Sequence, residues 1–121
     1  MQSFNIGKNF SPDPGGRFFS DGKGSGEEFR ENYLKPILSK LAKNEKLKIL
    51  LDDNVVSYGS SFLSEGFAGM VKYGYITKEN LIDKLEFSYS NPEFEFYKDR
   101  ILAYIEQANY GSKTYVRSDP E

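Results

Sequence analysis

The clearest hydrophobic pattern in the chain is an apolar run that ends at two carboxylates. Residues 47–51 read Leu-Lys-Ile-Leu-Leu, and Asp52 and Asp53 follow directly. A short segment that is almost entirely apolar is typical of a strand covered on both faces. The pattern therefore predicts a central buried strand that leads into a polar loop.

A second pattern begins at two adjacent serines, Ser60 and Ser61. Behind them apolar residues recur at helical spacing, which predicts a helix. The apolar stripe comprises Leu63, Phe67, Met70 and Val71, and a stripe of small residues comprises Gly66 and Gly69. Because small residues let a helix approach a sheet closely, we expect these glycines to serve packing. The Tyr-Gly-Tyr sequence at 73–75 is predicted to end the helix.

The longest amphipathic segment spans residues 26–43. Ser25 followed three residues later by Glu28 has the form of a capping box. Apolar side chains then recur at intervals of three and four: Phe29, Tyr33, Leu34, Ile37, Leu38 and Leu41. Pro36 lies inside this helix, where a proline loses a hydrogen bond and costs about 3 kcal/mol. We expect a bend at Pro36 and not a break, because the apolar stripe continues in phase.

The remaining segments are shorter. Weak alternation predicts a strand over 3–10 and a return strand over 17–19, which together would form a hairpin. A short capped helix is predicted over 77–84 and a strand over 85–89. Asn91-Pro92 is predicted to open the last helix, since proline is well tolerated at a helix start.

This order of elements predicts the fold class and the domain organisation. Alternating strands and helices indicate an α/β sandwich with a mixed, partly parallel sheet and helices packed against it. We expect a single domain over residues 1–110 and a polar, flexible tail over 111–121.

Composition excludes several chemistries. The 121 residues include neither cysteine nor histidine, which excludes disulfides, a thiol nucleophile, a histidine-based triad and a metal site built from these ligands. The net charge of −2 offers no field that would gather nucleic acid. No apolar stretch approaches the length of a membrane span, and the first residues lack a signal-peptide core. We therefore expect a cytoplasmic protein without a nucleic-acid or membrane partner.

Ser60 and Ser61 are the sharpest candidate site. The first N–H groups of a helix bind anions, so a hydroxyl there can cap the helix, contact a phosphate or carry one. Capping is the commoner role, and the phosphoacceptor interpretation stays open beside it. Asp52, Asp53 and Glu65 would oppose phosphorylation if their carboxylates lay close to the serines.

Asp52 and Asp53 are weaker candidates for a metal site. A pair of carboxylates at the end of a strand could hold Mg²⁺, with Glu65 and Asp21 as the available further ligands. Solvated loop carboxylates are the commoner outcome of such a pattern. The glycine-rich segment 22–26 lacks the spacing of a phosphate-binding Walker loop and is interpreted as a turn followed by a helix cap.

Several segments between Gly16 and Tyr89 together resemble a known family. They are Gly16-Arg17-Phe18, Asp21-Gly22, residues 25–31, residues 34–38 and, above all, residues 58–69 with the sequence YGSSFLSEGFAG. The segments resemble the STAS-like domain of unknown function, a small bacterial module found alone or beside histidine-kinase-type ATP-binding domains.

The resemblance implies the fold of anti-sigma-factor antagonists. In that wider class a kinase-type partner phosphorylates a serine at the start of the helix that follows the central strand, and phosphorylation decides whether the partner is bound. By position, Ser61 would be the acceptor and Ser60 its neighbour. The wider class carries aspartate before the serine pair and glycine after it, where this chain has Gly59 and Phe62.

We therefore expect a non-catalytic STAS-like regulatory module with no cofactor of its own. The expected partner is a histidine-kinase-type ATPase or a serine kinase, and ATP would belong to that partner. The expected contact surface consists of Tyr58, Ser60, Ser61, Phe62 and Glu65. One alternative is a small Mg²⁺-dependent phosphohydrolase or phosphotransfer protein that uses Asp52 and Asp53. Another is an inhibitor or scaffold protein without a switch.

Overall fold

The computed structural model describes residues 2–118 and has a parallel sheet at its centre. Its strands are β1 (Gln2–Asn5), β2 (Leu47–Leu50) and β3 (Leu85–Ser88), in the order β1-β2-β3. Both ladders of this sheet are parallel, and Ile49 of β2 pairs with Phe4 on one side and Phe87 on the other. The prediction that the apolar run forms the central strand is confirmed.

Helices connect the strands and cover the sheet. Within residues 2–118 they are α1 (Ile6–Asn9), α2 (residues 26–39), α3 (residues 60–72), α4 (Lys78–Lys84) and α5 (Glu95–Gln107), with 3₁₀ turns at Phe19–Asp21 and Pro92–Phe94. No helix in this part of the chain has both the length and the apolar character that crossing a membrane requires. The predicted mixed α/β class is confirmed.

Helix α2 begins where predicted but ends at Ser39, short of the predicted end at residue 43, and it contains one irregularity. It consists of an α-helical turn at Gly26–Phe29, a π-helical segment at Arg30–Leu34 and an α-helical end at Lys35–Ser39. The Lys35 N–H donates to the Arg30 carbonyl, five residues back. The helix thus continues through Pro36, as expected, and the π-helical turn directly precedes the residue whose missing N–H would disturb a regular α-helix.

Ser25 caps helix α2 as predicted. Its hydroxyl oxygen accepts a hydrogen bond from the Glu28 amide at 3.1 Å. The Glu28 carboxylate accepts from the Gly24 amide, also at 3.1 Å, one residue before the position that a standard capping box would use. Both bonds anchor the glycine-rich turn to the start of the helix.

The N-terminal hairpin was predicted wrongly. Strand β1 ends at Asn5, whose side chain caps the turn α1, so the predicted strand over 3–10 is only half formed. The predicted strand over 17–19 is replaced by a loop and a 3₁₀ turn, because the Asp21 carboxylate accepts from the amides of Arg17 and Phe18. Without this return strand the sheet is wholly parallel in the described residues, and the predicted mixed sheet is corrected accordingly.

Buried aromatic rings join the sheet to helices α2 and α3. The ring of Phe29 in α2 lies 5.9 Å from Phe4, 5.4 Å from Phe62 and 5.2 Å from Phe67, measured between ring centroids. Phe29, Phe62 and Phe67 have no exposed surface. Full burial of such a side chain is worth about 1.5–3 kcal/mol, so this cluster fixes α3 against both α2 and the sheet.

Glycines set the close approach of α2 and α3. A Cβ atom on Gly26 would lie 2.7 Å from the Phe62 carbonyl oxygen and 2.8 Å from the Gly66 nitrogen. A Cβ atom on Gly69 would lie 2.5 Å from Nη1 of Arg30. The predicted packing role of the small stripe of α3 is therefore confirmed, although its neighbour is helix α2 and not the sheet.

The chain after α5 runs back along the C-terminal end of α3. The Gly111 amide donates to the Val71 carbonyl and the Lys113 amide to the Lys72 carbonyl, both at 3.0 Å. Further along, Tyr115 and Ser118 hydrogen-bond to the Glu27 carboxylate. The predicted flexibility of the tail 111–121 stays a prediction, and residues 119–121 lie outside the described residues.

Candidate functional site

A loop carries the serine pair from β2 to the start of α3, and it is anchored at both ends. The Tyr58 hydroxyl donates to the Leu51 carbonyl at 2.5 Å, directly after the strand. The Gly59 amide donates to the Pro14 carbonyl at 3.2 Å, which ties the loop to the segment before α2. These bonds place Ser60 and Ser61 beside residues 15–21.

Neither serine caps helix α3, so the capping interpretation is wrong. A capping hydroxyl belongs to the residue before the first helical one. Gly59 occupies that position and has no side chain, while Ser60 and Ser61 are the first two residues of the helix. The N–H groups of this first turn therefore lack a side-chain cap and can be satisfied by water or by an anionic group.

An open cleft of about 690 Å³ lies over the serine pair, and we call it the serine cleft. One wall is the start of α3, and the other is the loop that contains the 3₁₀ turn. Its lining consists of Gly16, Arg17, Phe18, Asp21, Gly59, Ser60 and Ser61. Ser60 is exposed and Ser61 is half-buried, so both hydroxyls are accessible from this side.

Arg17 is the cation of the serine cleft. Its Nη2 atom lies 3.4 Å from Ser61 Oγ, and its Nη1 atom lies 3.4 Å from Glu65 Oε1. Both distances are long for hydrogen bonds, and the side chain is 39% exposed. The guanidinium can therefore turn toward a ligand or a modified serine with little loss of existing contacts.

Glu65 belongs to a buried ion cluster behind the cleft. Its carboxylate accepts from Arg30 Nη1 at 2.8 Å and from the Tyr73 hydroxyl at 2.9 Å. The Arg30 side chain is fully buried and also pairs with Glu31 at 2.8 Å. Burial, together with the hydrogen bond to Glu65, raises the pKa of Tyr73 to about 12, so that this hydroxyl stays a donor. The Glu65 charge is thus compensated from several sides.

Three of the predicted contact residues offer a partner little or no surface. Phe62 is fully buried, and Glu65 and Tyr58 are 5% and 7% exposed. The Tyr58 ring stacks on Phe62 at 5.8 Å, and burial raises the pKa of its hydroxyl far above the ordinary value. These three side chains support the serine loop from below, and Ser60 and Ser61 are the predicted contact residues that lie at the surface.

Asp52 and Asp53 line a different cleft, at the carboxyl edge of the sheet. The Asp52 carboxylate accepts from the amides of Ser90 and Asn91 at 2.7 and 2.6 Å, which holds the turn before α5. The Asp53 carboxylate accepts from the Asn5 side chain at 2.7 Å, and this bond lowers the pKa of Asp53. Residues 2–118 contain no group of three or more candidate metal ligands. Both carboxylates are engaged in fixing loops.

A second, aromatic groove of about 200 Å³ begins at Ser60 and extends along α5. Phe96 and Arg100 both line it. Phe96 is 56% exposed, and the Arg100 guanidinium lies 5.0 Å from the centre of its ring. Exposed aromatic and arginine side chains are enriched at protein interfaces. The sequence feature that could have indicated this groove is Phe96, a phenylalanine on the polar face of the amphipathic helix α5.

Comparison with known proteins returns no match. No family model, curated protein or solved structure matches the chain. The resemblance to the STAS-like domain therefore stays an interpretation of the sequence, and the geometry of the serine cleft is what supports a function.

Proposed function

We propose that this protein is a non-catalytic regulatory module that binds a protein partner at the serine cleft, and that phosphorylation of Ser61 controls the binding. One observation carries the proposal. Ser61 lies in the first, uncapped turn of α3, its Oγ atom is 3.4 Å from Arg17, and it faces an open cleft.

The surroundings of Ser61 suit a phosphate. A phosphoserine adds a charge of about −1.5 to −2 at neutral pH. The positive end of the α3 dipole and the Arg17 guanidinium both favour that charge. Of the carboxylates suspected of opposing it, Glu65 is paired with Arg30, while Asp52 and Asp53 are engaged elsewhere.

The proposed contact surface is what the structure leaves exposed around the serine pair. On one side it includes Arg17 and Phe18, and on the other Phe96 and Arg100, with Ser60 between them. A surface that alternates aromatic rings with arginines suits a partner carrying apolar and acidic side chains. By the STAS-like resemblance, that partner is a histidine-kinase-type ATPase or a serine kinase, which would bind the ATP.

The two alternatives have less support. The carboxylates needed for a Mg²⁺-dependent reaction are held by backbone and side-chain donors, and no observation favours that reaction. A scaffold or inhibitor without a switch would use the same surface, so it differs from our proposal only in its response to phosphorylation.

The test uses histidine-kinase-type ATPases and serine kinases from the organism that produces this protein as candidate partners. We expect the purified proteins to form a complex whose Kd, measured by calorimetry, changes at least tenfold when Mg²⁺ and ATP have been supplied. Ser61→Ala should abolish the response to ATP, whereas the matched variant Ser60→Ala should keep it. A scaffold would bind equally with and without ATP. An unchanged ATP response in Ser61→Ala would refute Ser61 as the acceptor.

A further inference from the structure

A buried carboxylate faces the C-terminal segment of the chain. Glu27, in the first turn of α2, has no exposed surface. Its Oε2 atom accepts from the Tyr115 hydroxyl at 2.6 Å and from the Ser118 amide at 3.0 Å, and its Oε1 atom accepts from the Ser118 hydroxyl at 2.5 Å. Among residues 2–118, one further bond to this carboxylate comes from the Phe19 amide at 2.8 Å. The C-terminal segment therefore supplies three of the four hydrogen bonds that the described residues give to this buried charge, and such bonds make its burial tolerable.

The same C-terminal residues also hold one wall of the serine cleft. The Ser118 hydroxyl oxygen accepts from the Ser20 amide at 3.3 Å. The Arg117 guanidinium lies 4.1 Å from the centre of the Phe19 ring. Phe19 and Ser20 belong to the 3₁₀ turn that directly follows Arg17 and Phe18, so residues 117–118 support the cleft wall from behind.

A second connection runs through the buried ion cluster. The Tyr115 ring lies 5.1 Å from the Arg30 guanidinium and packs edge-on against the Tyr73 ring at 5.4 Å. Arg30 Nη2 has no hydrogen-bond partner among the described residues, so the two tyrosine rings are what stabilise that part of the cation. Arg30 in turn holds Glu65, which contacts Arg17.

We infer that residues 115–118 form a clamp that positions the Arg17 wall of the serine cleft. With the clamp seated, the 3₁₀ turn is fixed and Arg17 lies between Ser61 and Glu65. When the clamp is released, Glu27 retains one of its four bonds and the turn loses its support from behind. The clamp thus determines whether Arg17 is held beside Ser61 in the serine cleft. This inference deepens the proposed function, since it names the segment that controls the same site.

The test is amide hydrogen exchange, measured residue by residue by NMR on the full chain. The double variant Tyr115→Phe, Ser118→Ala removes both hydroxyls that bind Glu27 and keeps the ring over Arg30. We expect the amides of Phe19 and Ser20 to exchange about tenfold faster, because their acceptors are loosened or lost. The amides of strand β2 should be unchanged. Tyr110→Phe, at an exposed tyrosine just before the clamp, is the matched control and should change neither set.

Two results would overturn the clamp. One is unchanged exchange at Phe19 and Ser20 in the double variant. The other is an equally large increase in the amide exchange rates of the 3₁₀ turn and of strand β2. That result would mean that residues 115–118 contribute only to global stability. If the double variant does not fold, Ser118→Ala alone gives the same comparison. The measurement needs neither a kinase nor a phosphate, so the clamp can stand even where phosphorylation of Ser61 fails, and the reverse also holds.

Discussion

At the scale of single residues, the absence of a side chain at position 69 creates the room for a buried guanidinium. The Arg30 side chain passes where a Cβ atom of residue 69 would lie, and its bonds to Glu31 and Glu65 prevent it from moving aside. The ion cluster behind the serine cleft therefore depends on a glycine that contributes no side chain to it.

We predict that Gly69→Ala destabilises the protein by about 1 kcal/mol, and by at most about 2 kcal/mol. Alanine is favoured over glycine in a helix by about 1 kcal/mol, but overpacking costs about 1–3 kcal/mol and here prevails, because the obstructed atom is fixed. Gly15→Ala is the matched control, since a Cβ atom there meets nothing within 4 Å. Urea unfolding should show a change within about 0.5 kcal/mol for the control. Equal stability of the two variants would mean that Arg30 is free to move.

Individual site residues were predictable only where the sequence itself sets their position. Ser60 and Ser61 could be placed at a helix start from the apolar spacing behind them. The role of the two serines could not be predicted from the sequence, because a cap must be the residue immediately before the helix. Helix boundaries are uncertain by one or two residues. Arg17 lies 44 positions from Ser61, and no local pattern links the two.

At the scale of elements, helices α2 and α3 begin with serines in different roles. Ser25 precedes its helix and accepts a hydrogen bond from the Glu28 amide, whereas Ser60 and Ser61 lie inside the first turn of theirs. The start of α2 is thus satisfied within the chain. The start of α3 is open to the cleft.

This difference predicts unequal effects of matched serine-to-alanine changes. Loss of a helix cap costs about 1 kcal/mol, and up to about 2 kcal/mol in a buried setting, so Ser25→Ala should lower the free energy of unfolding by that amount. Ser60→Ala should change it by less than about 0.5 kcal/mol. The comparison is made by urea unfolding of both variants. A loss in Ser60→Ala as large as that in Ser25→Ala would restore the capping interpretation.

Most elements were predictable from the sequence, including the short helix α4 and the strands β2 and β3, whereas the segments before α2 were not. The apolar spacing of α2 and α3, and the Asn-Pro opening before α5, indicated these helices because their bonds are local. The prediction of a strand at 17–19 was wrong because the apolar pair Phe18-Phe19 is compatible with both a strand and a turn. The Asp21 carboxylate accepts hydrogen bonds from the Arg17 and Phe18 amides, and these bonds stabilise the turn.

At the scale of the whole molecule, chain segments far apart in sequence meet around α2. The C-terminal residues bind Glu27 at the start of this helix, and the serine loop is tied to the segment that precedes it. The polar composition of the tail predicted flexibility and gave no sign of this contact. The buried carboxylate that attracts the tail is identified only by the three-dimensional arrangement.

Acid should weaken the contact between the tail and Glu27. Burial raises the pKa of Glu27, but the hydrogen bonds from Ser118, Tyr115 and the Phe19 amide outweigh it, so the pKa lies below the ordinary value of 4.5. A carboxyl group with a lowered folded-state pKa stabilises the fold above its unfolded-state pKa, and that stabilisation is lost as the pH falls through the folded-state pKa. The stability difference between the natural protein and Glu27→Gln should therefore be largest near neutral pH and shrink below pH 4.5.

Urea unfolding at several pH values between 7 and 3 measures this difference directly. Comparing the two proteins at each pH removes every contribution to stability that they share. A difference that stays constant or grows on acidification would contradict the assigned role of Glu27.

The central claim, that Ser61 is a phosphorylated switch, is tested most directly by the intact mass of the protein isolated from the cells that naturally produce it. The mass is measured with and without phosphatase, and the peptide covering residues 58–72 is then mapped. We predict a phosphatase-sensitive gain of one phosphate, located on Ser61 and not on Ser60. A serine pair that is unmodified in every growth state, including those in which the partner complex forms, would contradict the switch and leave the cleft as a binding surface alone.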